Sequence, residues 1–570
     1  MIMESTDQPL TNIARYLPIR AKESPHEKAV IVPMNSKTKG CRNYISMTFQ
    51  QLEWESNRLA IGLRRIGLKK GAKVLLMVPP GLDFVALSFA LFKLGVVPVL
   101  IDPGMGKENL LNCIEAVQPE AMIAIPKAHV ARLIFKKRFQ SIKILITVGP
   151  RFWGGYNLDE IRKIADTLEP SREKQFKFVH TRGSDTAAIV FTTGSTGPPK
   201  GVVYFHAQME GQVESIQREF KIQSGDVDFP IFPLFVLFST AWGIPAVLPN
   251  MDPTRPSDAD PRLLLEGIED HGVTMSIGSP AVFRVLGEYC AENDIMLKSI
   301  RRILMVGAPV PPELHLTFKK VLSEKGETFT PYGATEALPI ANISGSEILQ
   351  STARHSLEGK GTCVGRPFPG VTVKVITIKD EIYDTFCDSM ALKPNQIGEV
   401  CVNGPMVTEQ YYERSDATSL SKMASKQGVW HRMGDLGYLD DEGRLWFCGR
   451  KSHRIMTAEG DFFPVPVENI FNQHSSIRRS ALVGLGPHGR QKMVLILEPM
   501  HRALLNDALQ QKQVIRELID LAKPHDPARK VKYFLWHACL PTDIRHNAKI
   551  FREKLSLWAA QQNIAEPGLS

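Results

Sequence analysis

Residues 191–201, FTTGSTGPPKG, gather Thr192, Thr193, Gly194, Ser195, Thr196 and Lys200 into one short loop. Hydroxyl donors, glycine N–H groups unshielded by a Cβ and one positive charge suit a polyphosphate. A Walker-type loop is excluded, because Pro198 and Pro199 carry no N–H and Lys200 is followed by glycine rather than by a hydroxyl residue. Ordinary turns draw on the same residue types, so the loop by itself leaves both readings open. Other places offer comparable chemistry. Gly307, Ala308 and Pro309 close the apolar run ILMVGAP, and PYGATE at 331–336 sets Tyr332, Gly333, Thr335 and Glu336 together. Asp435 and Arg450 bracket GDLGYLDDEGRLWFCGR, and LPTDIRHNAKIFREKL carries His546 and Lys549. Taken singly, Tyr332 is as well explained as a core aromatic, Glu336 as a helix-cap carboxylate and Asp435 as a turn former.

The elements that must position these residues read as an α/β chain. FQQLEWESNRLAIGLRRIGL has apolar residues at helical spacing, KVLLMVP is a short buried strand, and DFVALSFALFKLG, VVPVLID, ENLLNCIEAVQPE and AMIAIP continue as helix, strand, helix, strand. That βαβ rhythm implies a parallel sheet, with ligands gathered beyond the carboxyl ends of its strands. AAIVF runs into the 191–201 loop and ILMVG runs into Ala308, so both strand ends point to one crevice. After about residue 395 the texture changes to short strands and turns, with a hairpin across 434–450, a linker at 450–454 and a smaller unit beyond it.

A chain of 570 residues is too long for one core. Hydrophobic content of 43% and charged content of 23% exclude a disordered chain. The net charge of +9 reads as dispersed, which disfavours nucleic acid as a partner and permits anionic substrates or peripheral contact with an acidic membrane surface. The eight cysteines lack C-x-x-C pairs and zinc-ligand spacing, as expected of reduced thiols in a cytoplasmic protein. MIMESTDQPL has no signal-peptide layout, and the apolar stretches from Val85 and from Leu234 are broken by Lys93, glycine and proline, so both are expected in the core.

In this order and at this spacing, IVFTTGSTGPPKGVV, MVGAP, PYGATE, GDLGYLDDEGRLWFCGR and the late lysine resemble the adenylate-forming superfamily of acyl-CoA synthetases, luciferases and peptide-synthetase adenylation domains. The resemblance implies a large N-terminal AMP-binding domain (1–449) of parallel and mixed sheets flanked by helices, a hinge (450–454) and a small mobile C-terminal α+β domain (455–570). It implies ATP and Mg²⁺ as cofactors, with a carboxylate attacking the α-phosphate to give an acyl-adenylate. By the same resemblance the 192–200 loop clamps the β- and γ-phosphates, Gly307 to Pro309 wall the adenine, and Tyr332, beside Gly333, stacks on it. Thr335 donates to the α-phosphate, Glu336 holds the magnesium, Asp435 accepts from the ribose hydroxyls, Arg450 assists from the hinge, and Lys549 bridges carboxylate and α-phosphate.

The chain departs from the superfamily pattern in places that bear on the acceptor. Val236 stands where many acyl-CoA synthetases carry histidine, Ser452 where Asp or Lys is common, and Met456 where a lysine shapes the CoA-accepting state; Asn547 and Ala548 precede Lys549 in place of Ser/Thr-Gly. FPLFVLF, PYGATEALPIANISGSEIL and DIRHNAKIFREKL are similar to the olefin-pathway β-lactone synthetases. That likeness implies a long-chain 2-alkyl-3-hydroxy acid as substrate, whose own β-hydroxyl displaces AMP, and other olefin-pathway enzymes as partners. His546 is the candidate base for ring closure and His453 a weaker one. A long-chain fatty acid–CoA ligase is the alternative.

Overall fold

The computed structural model describes residues 10–34, 42–169, 176–192, 198–542 and 549–562. Two seven-stranded sheets form its larger part. In the first, Ile144–Thr147, Ala121–Ala124, Lys73–Met77, Val97–Ile101 and Thr186–Thr192 lie side by side and parallel, and Lys200–Phe205 turns back antiparallel on Thr186–Thr192. The helices around it arise where the sequence predicts them: Phe49–Arg65 leads into its strand Lys73–Met77, and Leu82–Lys93 and Lys107–Val117 are crossovers. Thr48 and Gln51 cap the first of these reciprocally. The helix Leu82–Lys93 is buried almost all round, and Lys93 meets Glu53, Ser56 and Asn57 of the neighbouring helix at 2.6, 2.8 and 2.6 Å.

The second sheet aligns Asp228–Pro230, Met275–Gly278, Arg302–Met305 and Glu327–Phe329 in parallel. Because the last two are neighbours, the segments that leave their carboxyl ends, beginning at Val306 and Thr330, emerge side by side. An antiparallel sheet follows, in which Gly428–Leu439 pairs with Leu445–Arg450, and Tyr332–Ala334 folds back on Ala337–Asn342. Beyond residue 454 come the hairpin of Ile455–Thr457 with Gly460–Phe462 and a three-stranded sheet with helices, an α+β unit. Its apolar clusters, around Val467, Phe471, Leu495 and Leu518 and around Ala481, Ile496 and Leu555, draw only on residues after 454.

One buried carboxyl in the second sheet is held uncharged by its surroundings. Asp228 is fully buried, Ser239 donates to its Oδ2 at 2.6 Å, and its Oδ1 finds no partner. Burial, with the nearby Asp226 charge adding to it, pushes this carboxyl up to about 7 against the opposing bonds from Ser239 and the Phe229 backbone. The native state therefore keeps a proton that the unfolded chain gives up near pH 4, and stability contributed by this group is lost as pH rises from 4 through 7. Asp228→Asn, which stays neutral, is expected to gain on the wild type by on the order of 2 kcal/mol between pH 5 and pH 8 in urea unfolding.

Candidate active site

The carboxyl ends of the two parallel sheets and the antiparallel sheet converge on a group of residues far apart in sequence. Arg302–Met305 ends at a turn in which Gly307 has φ +91°, a conformation that favours glycine, and Ala308 and Pro309 follow. The adjacent strand Glu327–Phe329 delivers Tyr332. Thr335 and Glu336 form the two-residue turn between Tyr332–Ala334 and Ala337–Asn342, with Ala334 opposite Ala337. Gly333 is required by close approach, since a Cβ there would stand 2.8 Å from the Ala337 carbonyl oxygen.

Asp435 and Arg450 face each other across the hairpin, and the Arg450 Nη1 lies 2.8 Å from Asp435 Oδ1. The Tyr332 hydroxyl donates to Asp435 Oδ2. Burial pushes the Asp435 carboxyl up, while Arg450, Tyr332 and the positive charge of Lys549 oppose the shift. Lys549 is exposed, three residues before the helix Arg552–Ala559, and lies near enough for its field to reach Asp435. Arg552 ties that helix down through 2.8 and 2.6 Å bonds to the Glu468 carboxylate.

Glu336 is held from the other side. The Tyr411 hydroxyl donates to its Oε1 at 2.8 Å, and the Thr408 N–H and hydroxyl both donate to its backbone carbonyl at 2.9 Å. Lys422, buried, donates in turn to the Thr408 carbonyl and hydroxyl oxygens. Its ammonium is pushed down to about 7 by burial, against the nearby charges of Glu336 and Glu409. Tyr204 donates to the Thr335 carbonyl. Lys200 sits with its Nζ 5.1 Å from the centroid of the Tyr411 ring, so the residue that closes the 191–201 stretch meets the Glu336 support directly.

The structure thus brings together Lys200, Tyr332, Gly333, Thr335, Glu336, Asp435, Arg450 and Lys549, with Gly307 to Pro309 on the neighbouring strand end. Thr193, Gly194, Ser195, Thr196, His546 and the side chain of Thr192 lie outside the described residues. His453 is turned to Glu553, 3.1 Å from its Oε1. Tyr204, Thr408, Tyr411 and Lys422 have no counterpart in the sequence reading. Only the doubled tyrosine of TEQYYE marked their segment, and nothing in spacing marked Lys422. Val236 is fully buried at the start of the helix Val236–Trp242, beside a run of ring contacts through Phe232, Phe235, Phe238 and Trp242. Met456 lies in the hairpin strand Ile455–Thr457, its N–H donating to Gln491 Oε1 at 2.9 Å. A cleft of about 700 Å³, between the 438–446 turn and residues 461–466 and 526–530, shares none of these residues.

Among the described residues, no group of three or more His, Cys, Asp or Glu is arranged to hold a metal ion. Glu336 is nonetheless fitted to Mg²⁺, which commonly takes one or two carboxylates and completes its shell with phosphate oxygens and water. The Tyr411 bond fixes the carboxylate, and no basic side chain among the described residues forms an ion pair with it.

Fold and site together define a nucleotide-binding enzyme, and the chain belongs to the AMP-binding enzyme family, which matches residues 18–412. Over 97% of its length it is 41% identical to the olefin beta-lactone synthetase of Xanthomonas campestris pv. campestris, covering 98% of that protein, and the Stenotrophomonas maltophilia enzyme of the same name gives the same identity and coverage. Among solved structures it resembles the o-succinylbenzoate CoA synthetase of Bacillus subtilis in complex with its acyl-adenylate (TM-score 0.72, 22% identity, 98% of this chain and 99% of that one). It also resembles the amide bond synthetase of Marinactinospora thermotolerans (TM-score 0.75, 21% identity, 96% and 99%). At these identities the two structures speak for the fold alone.

Replacing Asp435 by asparagine leaves Arg450 without its counter-charge beside a buried group. The loss is expected at about 2 kcal/mol in urea unfolding, below the usual range for a broken buried pair because Arg450 is partly exposed. AMP is expected to raise the melting temperature of the wild type and to leave that of this variant unchanged.

Proposed function

We propose that this protein is an ATP-dependent, AMP-forming ligase that activates the carboxyl group of a long-chain 2-alkyl-3-hydroxy fatty acid and closes it to a β-lactone. The observation that carries the reading is the 41% identity to olefin beta-lactone synthetases along nearly the whole chain. In the first half-reaction a carboxylate oxygen attacks the α-phosphorus and pyrophosphate leaves. In the second, the substrate's β-hydroxyl oxygen attacks the acyl carbon, its proton passes to a base, and the bond to the phosphate oxygen breaks to release AMP. Tethering the nucleophile to the electrophile raises its effective concentration enough to help offset the strain of a four-membered ring.

The resemblance to adenylate-forming enzymes suggests the roles of the site residues, and their chemistry and placement support them. Tyr332 and residues 307–309 hold the adenine, and Asp435, steadied by Arg450, accepts from the ribose hydroxyls. Thr335 donates to the α-phosphate, and Lys200 and the 192–196 segment engage the β- and γ-phosphates. Glu336 would hold Mg²⁺, which neutralises phosphate charge when bound. Lys549 neutralises the anion that develops at the carboxylate and α-phosphate. His546 takes the hydroxyl proton. Residues 450–454 serve as hinge between a large domain (1–449) and a small one (455–570); the separate apolar clusters after residue 454 support this division. The protein works in the cytoplasm beside other olefin-pathway enzymes.

The alternative, a long-chain fatty acid–CoA ligase, keeps every nucleotide contact and differs only in the acceptor. Such a ligase from Salmonella typhimurium is 24% identical over 81% of this chain, a weaker likeness, and Met456 in place of lysine disfavours CoA as acceptor. With Mg-ATP and a long-chain 2-alkyl-3-hydroxy acid, the purified protein is expected to yield a β-lactone by mass spectrometry and NMR, and no acyl-CoA from a plain fatty acid with CoA. Acyl-CoA without lactone would overturn the reading. Lys549→Ala is expected to slow ATP–pyrophosphate exchange by roughly a hundredfold or more. His546→Ala is expected to leave that exchange intact and abolish the lactone; unchanged lactone output removes His546 as the base.

A further inference from the structure

The helix Pro126–Ile134 and the loop 149–156 place an unusual number of apolar side chains in water. Ile134 is 68% exposed and Phe152 84%, with Val130 at 47% and Leu133 at 39%. On the helix, Lys127, Val130, Leu133 and Ile134 fall on one face, while His129 on another face is buried. The loop is held against this helix: Trp153 packs on His129 with ring centroids 5.1 Å apart, donates to the Thr147 hydroxyl at 3.0 Å, and makes an edge contact with Phe152. The loop therefore lies against the helix, and each of the two exposes large apolar side chains to water.

The border of helix and loop is basic. Lys127, Lys136 and Lys137 are exposed and form no ion pair among the described residues, so the positive charge is less dispersed than the sequence reading had it. Arg138 is paired with Glu115 and Arg151, through both terminal nitrogens, with Glu160 at 2.9 Å, whereas Arg132 on the helix forms no ion pair among the described residues. Asp159 is likewise paired, with Arg162. What is left is an apolar centre with three uncompensated ammonium groups around it. A two-fold contact with a second copy would bring these like charges together.

We propose that this surface docks on an anionic lipid bilayer, with Ile134, Phe152, Val130 and Leu133 entering the headgroup boundary and the three lysines facing lipid phosphates. The inference goes beyond the reaction proposed above and does not depend on it. The placement would suit an apolar substrate. The segments around 125–126 and 148–155 leave the carboxyl ends of Ala121–Ala124 and Ile144–Thr147, the same end of the parallel sheet at which Thr186–Thr192 runs out toward Lys200. Four strand spacings, ~19 Å, separate Ile144–Thr147 from Thr186–Thr192.

The test is flotation of the full chain with vesicles of phosphatidylcholine, with and without phosphatidylglycerol. The wild type is expected to float with the anionic vesicles, less so at high salt. Both Ile134→Glu/Phe152→Glu and the triple variant Lys127→Glu/Lys136→Glu/Lys137→Glu are expected to cut the bound-to-free ratio roughly tenfold or more. All five positions are exposed, so unfolding curves and AMP binding are expected to stay as in the wild type. Failure of the wild type to float overturns the proposal, as does equal flotation of the variants. Light scattering that shows a wild-type dimer split by the apolar variant, with no vesicle binding, would assign the surface to a second copy instead.

Discussion

A carboxylate buried beside a tyrosine hydroxyl and a guanidinium is costly to assemble, and Asp435 is such a carboxylate. Its partners come from two parts of the chain: Tyr332 from the short antiparallel strand that follows the parallel strand Glu327–Phe329, Arg450 from the opposite side of the hairpin. Each alone would leave a polar group short of a partner in a place that water scarcely reaches. Satisfying all of them demands that the edge strand Tyr332–Ala334 and the hairpin, both parts of the antiparallel sheet, meet at one relative position. The Thr335–Glu336 turn, fixed by Tyr204, Thr408 and Tyr411, is set by the same meeting.

The large elements were legible because their physics is local. Helical spacing in FQQLEWESNRLAIGLRRIGL and the buried run KVLLMVP state their own period, and strands that end in glycine or proline announce where they stop. The candidate site can be picked out in a different way: Tyr332, Glu336, Asp435 and Lys549 stand out only through their order along the chain, since each has an ordinary structural explanation. Lys422, Thr408 and Tyr411 could not be read. Thr408 and Tyr411 matter through bonds to a turn some 70 residues or more earlier, and Lys422 through its bonds to Thr408; no periodicity records contacts of that kind.

The departures from the acyl-CoA synthetase pattern fall at positions the structure treats as packing or turn positions rather than as empty ones. Val236 is completely buried where a histidine would need a partner, and Met456 occupies a hairpin strand whose backbone bonds are supplied by Gln491. Neither substitution leaves a gap. The chain is adapted to lack those polar groups, as expected if the acceptor is carried within the substrate itself.

The anchoring of Arg552 on Glu468 has a mechanical meaning. Glu468 is buried, accepts both bonds from Arg552, and also receives the Leu482 N–H at 2.7 Å, so the helix after Lys549 is bolted to the centre of its own unit. Lys549 is then less a flexible arm than the tip of a lever. In the proposed reaction its reach toward the substrate carboxylate would depend on where the unit after residue 454 rests, and a change at Glu468 would misdirect it without touching the nucleotide.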